Sequence, residues 1–154
     1  MAKKRTIALS IAAAILVLIL GAVLFWHHFS DYSSVLKINW GFSLPRESHY
    51  SDIYNQRSDA TFTGDGIRYH VFSCEDIDPI NKLFAWQSEE QDTIYHSSYT
   101  AACDEWLSKI NVPVQARPDY ENCLYWYQSQ EDNSEIIIFG DEDQSKLYVI
   151  ELFV

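Results

Sequence analysis

Four aromatic side chains in the C-terminal third carry the chemistry that this sequence best supports, which is non-covalent binding. They lie close together in sequence and are Tyr120, Tyr125, Trp126 and Tyr127. Aromatic rings exposed on a sheet can stack on sugar rings or anchor a protein interface. Side chains alternate along a strand, so Tyr125 and Tyr127 share one face and Trp126 points to the other. We predict a binding patch here, with part of the cluster in the core as the alternative.

Nucleophilic catalysis has little support in this sequence. There is no Gly-x-Ser-x-Gly turn or comparable arrangement. The histidines are His27, His28, His49, His70 and His96. His70 lies on a predicted strand and could meet an acid across the sheet, although a structural histidine is the commoner outcome. We expect no catalytic residue, no cofactor and no enzymatic activity, and an uncharacterised enzyme is the second alternative function.

One acidic segment partly imitates a calcium-binding loop. Asp141, Asp143 and Ser145 match the first three side-chain ligand positions of an EF-hand. Lys146 stands where that loop needs glycine, and Leu152 stands where it needs a bidentate glutamate. We therefore predict a charged hairpin turn and no metal site.

The three cysteines, Cys74, Cys103 and Cys123, form no Cys-x-x-Cys pair, which argues against a redox couple or a zinc ribbon. If one disulfide forms, Cys74 with Cys123 is the preferred pair, because both lie on predicted strands. The favoured alternative is three buried thiols in the core.

An apolar run over residues 6–26 predicts on which side of the membrane the rest of the chain lies. It is preceded by Lys3, Lys4 and Arg5 and ends in aromatic residues, and at helical rise it spans roughly 31 Å. The positive-inside rule predicts a single-pass anchor with residues 1–5 in the cytoplasm. A cleaved signal peptide is the alternative, disfavoured by the length of the run and the absence of a good cleavage site. We expect a juxtamembrane linker over 27–34 and an extracytoplasmic domain over 35–154.

The charge of the outer part is strongly negative. Eight basic residues and all 22 acidic residues follow the apolar run, a net charge of −14. Phosphate backbones would repel such a domain, so we expect no nucleic-acid partner. Cationic proteins remain possible partners, and acidity that keeps the domain soluble is the alternative explanation.

The elements after the anchor predict one α+β domain. Strands are expected at Val35–Phe42, at Tyr50–Gln56, and at Ile67–Cys74 after the turn Gly64-Asp65-Gly66. The last three runs, Asn122–Gln128, Glu135–Phe139 and Lys146–Val154, predict an antiparallel meander. Both faces of the last run are mainly apolar, which predicts a sheet covered on both sides.

Two helices are expected on one face of this sheet. The first opens at Asp78-Pro79 and presents Ile80, Leu83, Phe84 and Gln87 at helical spacing. The second follows Ser97 and Ser98, with an apolar face of Ala102, Cys103, Trp106, Leu107 and Ile110.

Several of these short motifs resemble a group of small, uncharacterised bacterial proteins. The resemblance covers roughly residues 36–154 and rests on Leu44-Pro45, Phe62-Thr63-Gly64-Asp65-Gly66, a helix ending near Trp86 and the closing Leu147-Tyr148-Val149-Ile150-Glu151. Those proteins are similar in carrying an N-terminal membrane segment and an acidic extracytoplasmic α+β domain. The chain departs from them at Ser88–Tyr99 and Asp119–Trp126, and the resemblance implies no activity.

These features together predict a membrane-anchored binding or adaptor domain that contacts another protein at the cell surface. A cell-wall glycan-binding module is the first alternative.

Overall fold

The fold is described by a computed structural model over residues 15–21, 31–58, 65–88 and 93–154. Residues 15–21 are helical and exposed, and the rest of the predicted anchor over 6–26 lies outside the described residues. In the described ranges, no helix is long and apolar enough to cross a membrane. The chain divides into two compact units, Met1–Leu44 and Pro45–Val154.

Helix α1, Tyr32–Trp40, lies in the first unit and replaces the predicted strand Val35–Phe42. The Asp31 carboxylate accepts a hydrogen bond from the Ser33 amide at 3.1 Å, and Gly41 ends the helix at φ 82°. Leu36 and Trp40 are buried one helical turn apart. The strand prediction was wrong because these capping residues and this spacing favour a helix over an alternating strand.

A five-stranded sheet occupies the second unit and is antiparallel throughout. Its strands, in the spatial order β1-β2-β5-β4-β3, are β1 Ser51–Arg57, β2 Gly66–Ser73, β3 Leu124–Ser129, β4 Glu135–Asp141 and β5 Lys146–Phe153. The α+β class, the first hairpin and the C-terminal meander are confirmed. β1 and β3 are the edges of the sheet.

Gly66, where β2 begins, needs the freedom of glycine. Its φ is 143°, and an added Cβ would collide with the Ser58 hydroxyl. That hydroxyl accepts a hydrogen bond from the Ile67 amide at 3.0 Å. The other glycine of the predicted turn, Gly64, lies outside the described residues.

The first predicted helix is much shorter than expected. Helix α2 spans only Asp78–Asn81, and the side chain that bonds its first amide belongs to Asp76, at 3.0 Å. Beyond it, Gln87 pairs its main chain with Tyr125 of β3. The helical spacing was misleading here because this tertiary pairing draws the chain out of a helix.

The second predicted helix is confirmed and starts earlier than expected. Helix α3 spans Thr93–Lys109. Its end is a Schellman motif, in which the Val112 amide bonds the Leu107 carbonyl at 2.9 Å and Asn111 adopts φ 58°. Pro113 follows directly, so the proline lies just past the helix end.

Both faces of the sheet are buried, as the apolar pattern of the last strand predicts. The helix face is the side packed under α3, and its core contains Tyr69, Tyr125, Phe139, Ile150, Trp106 and Leu107. The opposite face contains the buried residues Phe72, Ile136, Ile138, Leu147, Val149 and Glu151. Of the two predicted helices, α3 lies on the helix face, whereas Phe84 and Trp86, beyond α2, pack against Trp126 and Gly140 on the opposite face.

Candidate binding site

The four aromatic residues predicted to bind do not share one surface. Tyr125 is fully buried in the core of the helix face. Trp126 lies on the opposite face, where its ring centroid is 4.8 Å from that of Phe84. Tyr120 and Tyr127 are half-buried at the margin of the core. Of the four, Tyr127 joins an aromatic group that reaches solvent.

That group is a row of three tyrosines, which we call the tyrosine stack: Tyr95, Tyr99 and Tyr127. The rings of Tyr99 and Tyr127 stack with centroids 4.5 Å apart, and those of Tyr95 and Tyr99 stack at 6.2 Å. Tyr95 is 57% exposed. The row therefore runs from the surface of α3 to the edge strand β3, where the Tyr127 hydroxyl donates to Glu135 at 3.3 Å.

The segment of α3 that contains Tyr95 and Tyr99 is poor in charged residues. From Thr93 to Cys103 the sequence contains no Asp, Glu, Lys or Arg, residues that make up 21% of the chain. Ile94 is 79% exposed there. The hydroxyls of Ser97 and Thr100 donate to carbonyls of the preceding turn, so this surface presents few free polar groups. Depletion of charge together with exposed tyrosine is typical of the centre of a protein interface.

Tyr120 contributes to structure rather than to this surface. Its hydroxyl donates to Asp104 at 3.0 Å, and its ring packs on Phe139 with centroids 5.0 Å apart. Arg117 bonds the same carboxylate at 3.3 Å and the Val112 carbonyl at 2.9 Å. These contacts tie the segment after α3 back onto the helix. Burial raises the pKa of Tyr120, and the electrostatic influence of Cys103 and Asp104 and the bond to Asp104 raise it further.

Among the described residues, main-chain pairing covers the outer edge of β3 at one position. The Gln87 amide donates to the Tyr125 carbonyl at 2.9 Å, and the Tyr125 amide donates to the Gln87 carbonyl at 2.8 Å. This pairing was not expected from the sequence. It brings the segment after α2 alongside the sheet and defines which groups of β3 face outward.

A cavity of about 440 Å³ lies at the other end of β3. The described residues that line it include three carboxylates, Glu121, Glu142 and Asp143, and no basic residue. The Glu142 carboxylate accepts a hydrogen bond from Asn81 at 2.8 Å. The cavity adds to the acidic character of this side of the molecule.

His70 meets an acid across the sheet, as its strand position suggested. Its Nδ1 lies 2.8 Å from the Asp52 carboxylate, which also accepts a bond from Asn55 at 3.3 Å. Burial lowers the pKa of His70, and the bond to Asp52 opposes that shift. The ring stacks on Phe72 at 5.9 Å. The pair of His70 and Asp52 joins the neighbouring strands β1 and β2.

Of the other histidines, the structure describes His49 and His96. His49 is exposed at φ 44°, and His96 is buried with its Nε2 3.3 Å from the Tyr120 carbonyl. His27 and His28 lie outside the described residues.

The calcium-like segment is a hairpin turn, as predicted. Asp141 is buried, and its carboxylate accepts a hydrogen bond from the Gln144 amide at 2.9 Å. Ser145 adopts φ 50° and completes the turn. Asp141 therefore serves as a turn residue.

All three cysteines are buried free thiols, so the preferred disulfide between Cys74 and Cys123 is not formed. Burial raises the pKa of Cys74 to about 11 and that of Cys123 to about 12. Cys103 lies at the centre of the core under α3, and burial raises its pKa well above the usual value.

One titratable group was missed by the sequence reasoning. Glu151 lies in the middle of β5 on the opposite face and is fully buried. Its register partners are Arg68 on β2 and Ile136 on β4. Burial raises the pKa of this carboxyl to about 8. In the sequence, Glu151 is the one polar residue on an otherwise apolar face of the last strand, and its burial was not expected.

Tyr95 and Tyr99 were also missed, because the second helix was expected to begin only after Ser97 and Ser98. Two signals in the sequence could have found them. They stand four residues apart, which places both on one side of a helix, and they lie in the stretch from Thr93 to Cys103 that has no Asp, Glu, Lys or Arg.

Compared with protein-family models, curated sequences and solved structures, the chain has no match.

Proposed function

We propose that this chain is a membrane-anchored binding protein whose acidic domain, outside the cell membrane, recognises another protein at the cell surface. The observation that carries the proposal is the tyrosine stack at the charge-poor segment of α3. Tyr95 and Ile94 are exposed there at 57% and 79%. Tyrosine offers a large contact area at low entropic cost. Single exposed apolar side chains are common on protein surfaces, whereas these tyrosine rings form an ordered stack.

The stacking geometry favours a protein over a glycan as the ligand. Sugar rings bind to open aromatic faces, whereas Tyr99 and Tyr127 cover each other with planes only 21° apart. Tyr99 also lies near Tyr95, with ring centroids 6.2 Å and planes 25° apart. The exposed side chains of Tyr95 and Ile94 beside these rings suit the side chains of a protein partner.

Position-specific photo-crosslinking tests this function in the full-length chain in its own membrane. A photoreactive amino acid replaces Ile94 in one sample and Val114 in the control. The two positions are matched, since both carry β-branched aliphatic side chains with exposures of 79% and 75%. We expect one protein of defined mass to crosslink from position 94 and not from position 114, with competition by excess unmodified chain.

Other outcomes would contradict the proposal. Equal crosslinking from both positions, or none from position 94, would remove the support for a protein-binding surface at the stack. Sedimentation with wall fragments that is abolished by Tyr95→Ser, without a protein crosslink, would instead support the glycan alternative.

A further inference from the structure

The main-chain groups of alternate residues of β3, starting at Tyr125, face away from the sheet. Both hydrogen-bonding groups of Tyr125 point outward, since they bond Gln87. In an antiparallel ladder every second residue has the same orientation, so Tyr127 and Ser129 also point outward. The inward bond of Gln130 to the Ser134 carbonyl at 2.9 Å fits this alternation.

The chain that covers Tyr125 leaves this edge before it reaches Tyr127. Continuing the antiparallel pairing of Gln87 with Tyr125 would place Ala85 opposite Tyr127. Ala85 is exposed, while the rings on either side of it pack on the opposite face, Phe84 on Trp126 and Trp86 on Gly140. Among the main-chain bonds of the described residues, none reaches the outward groups of Tyr127 or Ser129. An exposed edge of this kind is a template for a further strand.

The other edge of the sheet is less suited to adding a strand. β1 has a bulge between Asp52 and Tyr54, and a bulge interrupts the regular ladder that a new strand would follow. The open part of β3 shows no such irregularity in its pairing with β4.

The segment that contains β3 and β4 carries acidic residues and neither lysine nor arginine. Residues 118–145 contain no lysine or arginine, and their eight acidic residues are Asp119, Glu121, Glu131, Asp132, Glu135, Asp141, Glu142 and Asp143. Glu131 and Asp132 are exposed on the turn that follows the open edge. A second copy of the chain would bring two such segments together and be repelled, whereas a basic segment would be attracted.

We propose that a basic, extended segment of the partner protein binds as a sixth strand beside Tyr127 and Ser129. This inference rests on the proposed function and names the partner's recognition mode. Main-chain bonds to β3 supply affinity, and side chains of the added strand on the helix face lie beside the tyrosine stack, which supplies specificity. Lysine or arginine at the end nearest the β3–β4 turn meets Glu131 and Asp132.

The test uses the full-length chain in detergent and a labelled synthetic peptide, Lys-Val-Thr-Val-Thr-Val-Lys. One control peptide has glutamate in place of lysine at both ends. The other has methyl groups on its main-chain nitrogens. Fluorescence anisotropy should show saturable binding of the basic peptide and loss of binding by both controls. In the same titration, hydrogen exchange should slow at the amides of Tyr127 and Ser129 and stay unchanged at those of β1.

A matched pair of variants isolates the main-chain contribution. Ser129→Pro removes one outward amide at an edge position that tolerates proline, and Ser129→Ala removes only the hydroxyl. We expect Ser129→Pro to bind the peptide about fivefold more weakly than Ser129→Ala, the effect of one lost hydrogen bond. If Ser129→Pro does not fold, the exchange measurement on the unmodified chain decides.

The outcomes separate this inference from the proposed function. No peptide binding, equal binding of the methylated peptide, or unchanged exchange at Tyr127 would overturn the strand addition. If the crosslink from position 94 persists in that case, the protein-binding function stands and only its mode is wrong. If the crosslink is absent as well, both fail.

Discussion

Replacing Glu151 by glutamine should stabilise the protein, and the gain should grow as the pH rises. This carboxyl is fully buried on β5, and burial raises its pKa from 4.5 to about 8. The folded state therefore holds the proton more tightly than the unfolded state. The protonated form folds without penalty below the unfolded pKa, and stability is lost as the pH rises toward the folded pKa.

The size of the effect follows from the two pKa values. Each pKa unit corresponds to about 1.4 kcal/mol, so the shift from 4.5 to about 8 represents roughly 5 kcal/mol once both states are ionised. Near pH 5 the loss should be about 1 kcal/mol or less, and near pH 8 it should be about 4 kcal/mol. Glutamine keeps the shape of the neutral acid and does not ionise. The variant should therefore gain about 3 kcal/mol relative to the parent between these two pH values.

Urea unfolding of the full-length chain in detergent, followed by tryptophan fluorescence, measures this difference. Parent and variant are compared at each pH, so the titration of groups common to both chains cancels. Glu131→Gln serves as the control, because Glu131 is an exposed carboxyl on the β3–β4 turn. Its free energy of unfolding should differ from that of the parent by only a small amount, since the side chain is exposed.

A pH-independent difference between Glu151→Gln and the parent would refute the reasoning. It would mean that the carboxyl titrates with the same pKa in the folded and unfolded states, and that the buried site stabilises the ionised form as well as water does.

Three further predictions test the fold. Gly66→Ala should lower the free energy of unfolding by about 1–3 kcal/mol, because φ is 143° and the Ser58 side chain fills the space that a methyl group would need. Gly21→Ala is the control, because nothing lies within 4 Å of the added carbon. Its free energy of unfolding should equal that of the parent in the same urea titration. Arg117→Lys should lower the free energy of unfolding by about 1–2 kcal/mol, because lysine cannot bond the Val112 carbonyl and Asp104 together as Arg117 does. Arg46→Lys, at an exposed position, is the control. Equal unfolding midpoints for Arg117→Lys and the parent would contradict the role assigned to Arg117. The thiols of Cys74, Cys103 and Cys123 should react slowly with a maleimide near pH 8 and rapidly in urea, since burial raises the pKa of each; fast labelling of the folded chain would show that they are accessible.

Much of the sheet was predictable because its signals are local. The last three strands are rich in β-branched and aromatic residues and are separated by polar turns, and recognising this pattern needs no knowledge of the rest of the chain. The apolar face of α3 from Cys103 to Ile110 is equally local. By contrast, residues 35–42 were predicted as a strand, although Asp31 and Gly41 at the two ends carry the capping signals of a helix.

The binding surface was only partly predictable. Tyr127 was identified from the cluster of aromatic residues near the C-terminus, but Tyr125 in the same cluster is core. Tyr95 and Tyr99 come from a helix that precedes β3 in sequence. Stacking between Tyr99 and Tyr127, 28 positions apart in the sequence, depends on how α3 lies over the sheet, which no local pattern specifies.

By itself, the sequence determined the charge, the antiparallel meander and the amphipathic helix, because composition and hydrophobic period are properties of neighbouring residues. Only the tertiary structure decided which aromatic rings reach solvent, which main-chain groups of β3 face outward and that Glu151 is buried. Each of these depends on side chains and main-chain groups from separate elements competing for the same space, and that competition is resolved only when the elements pack.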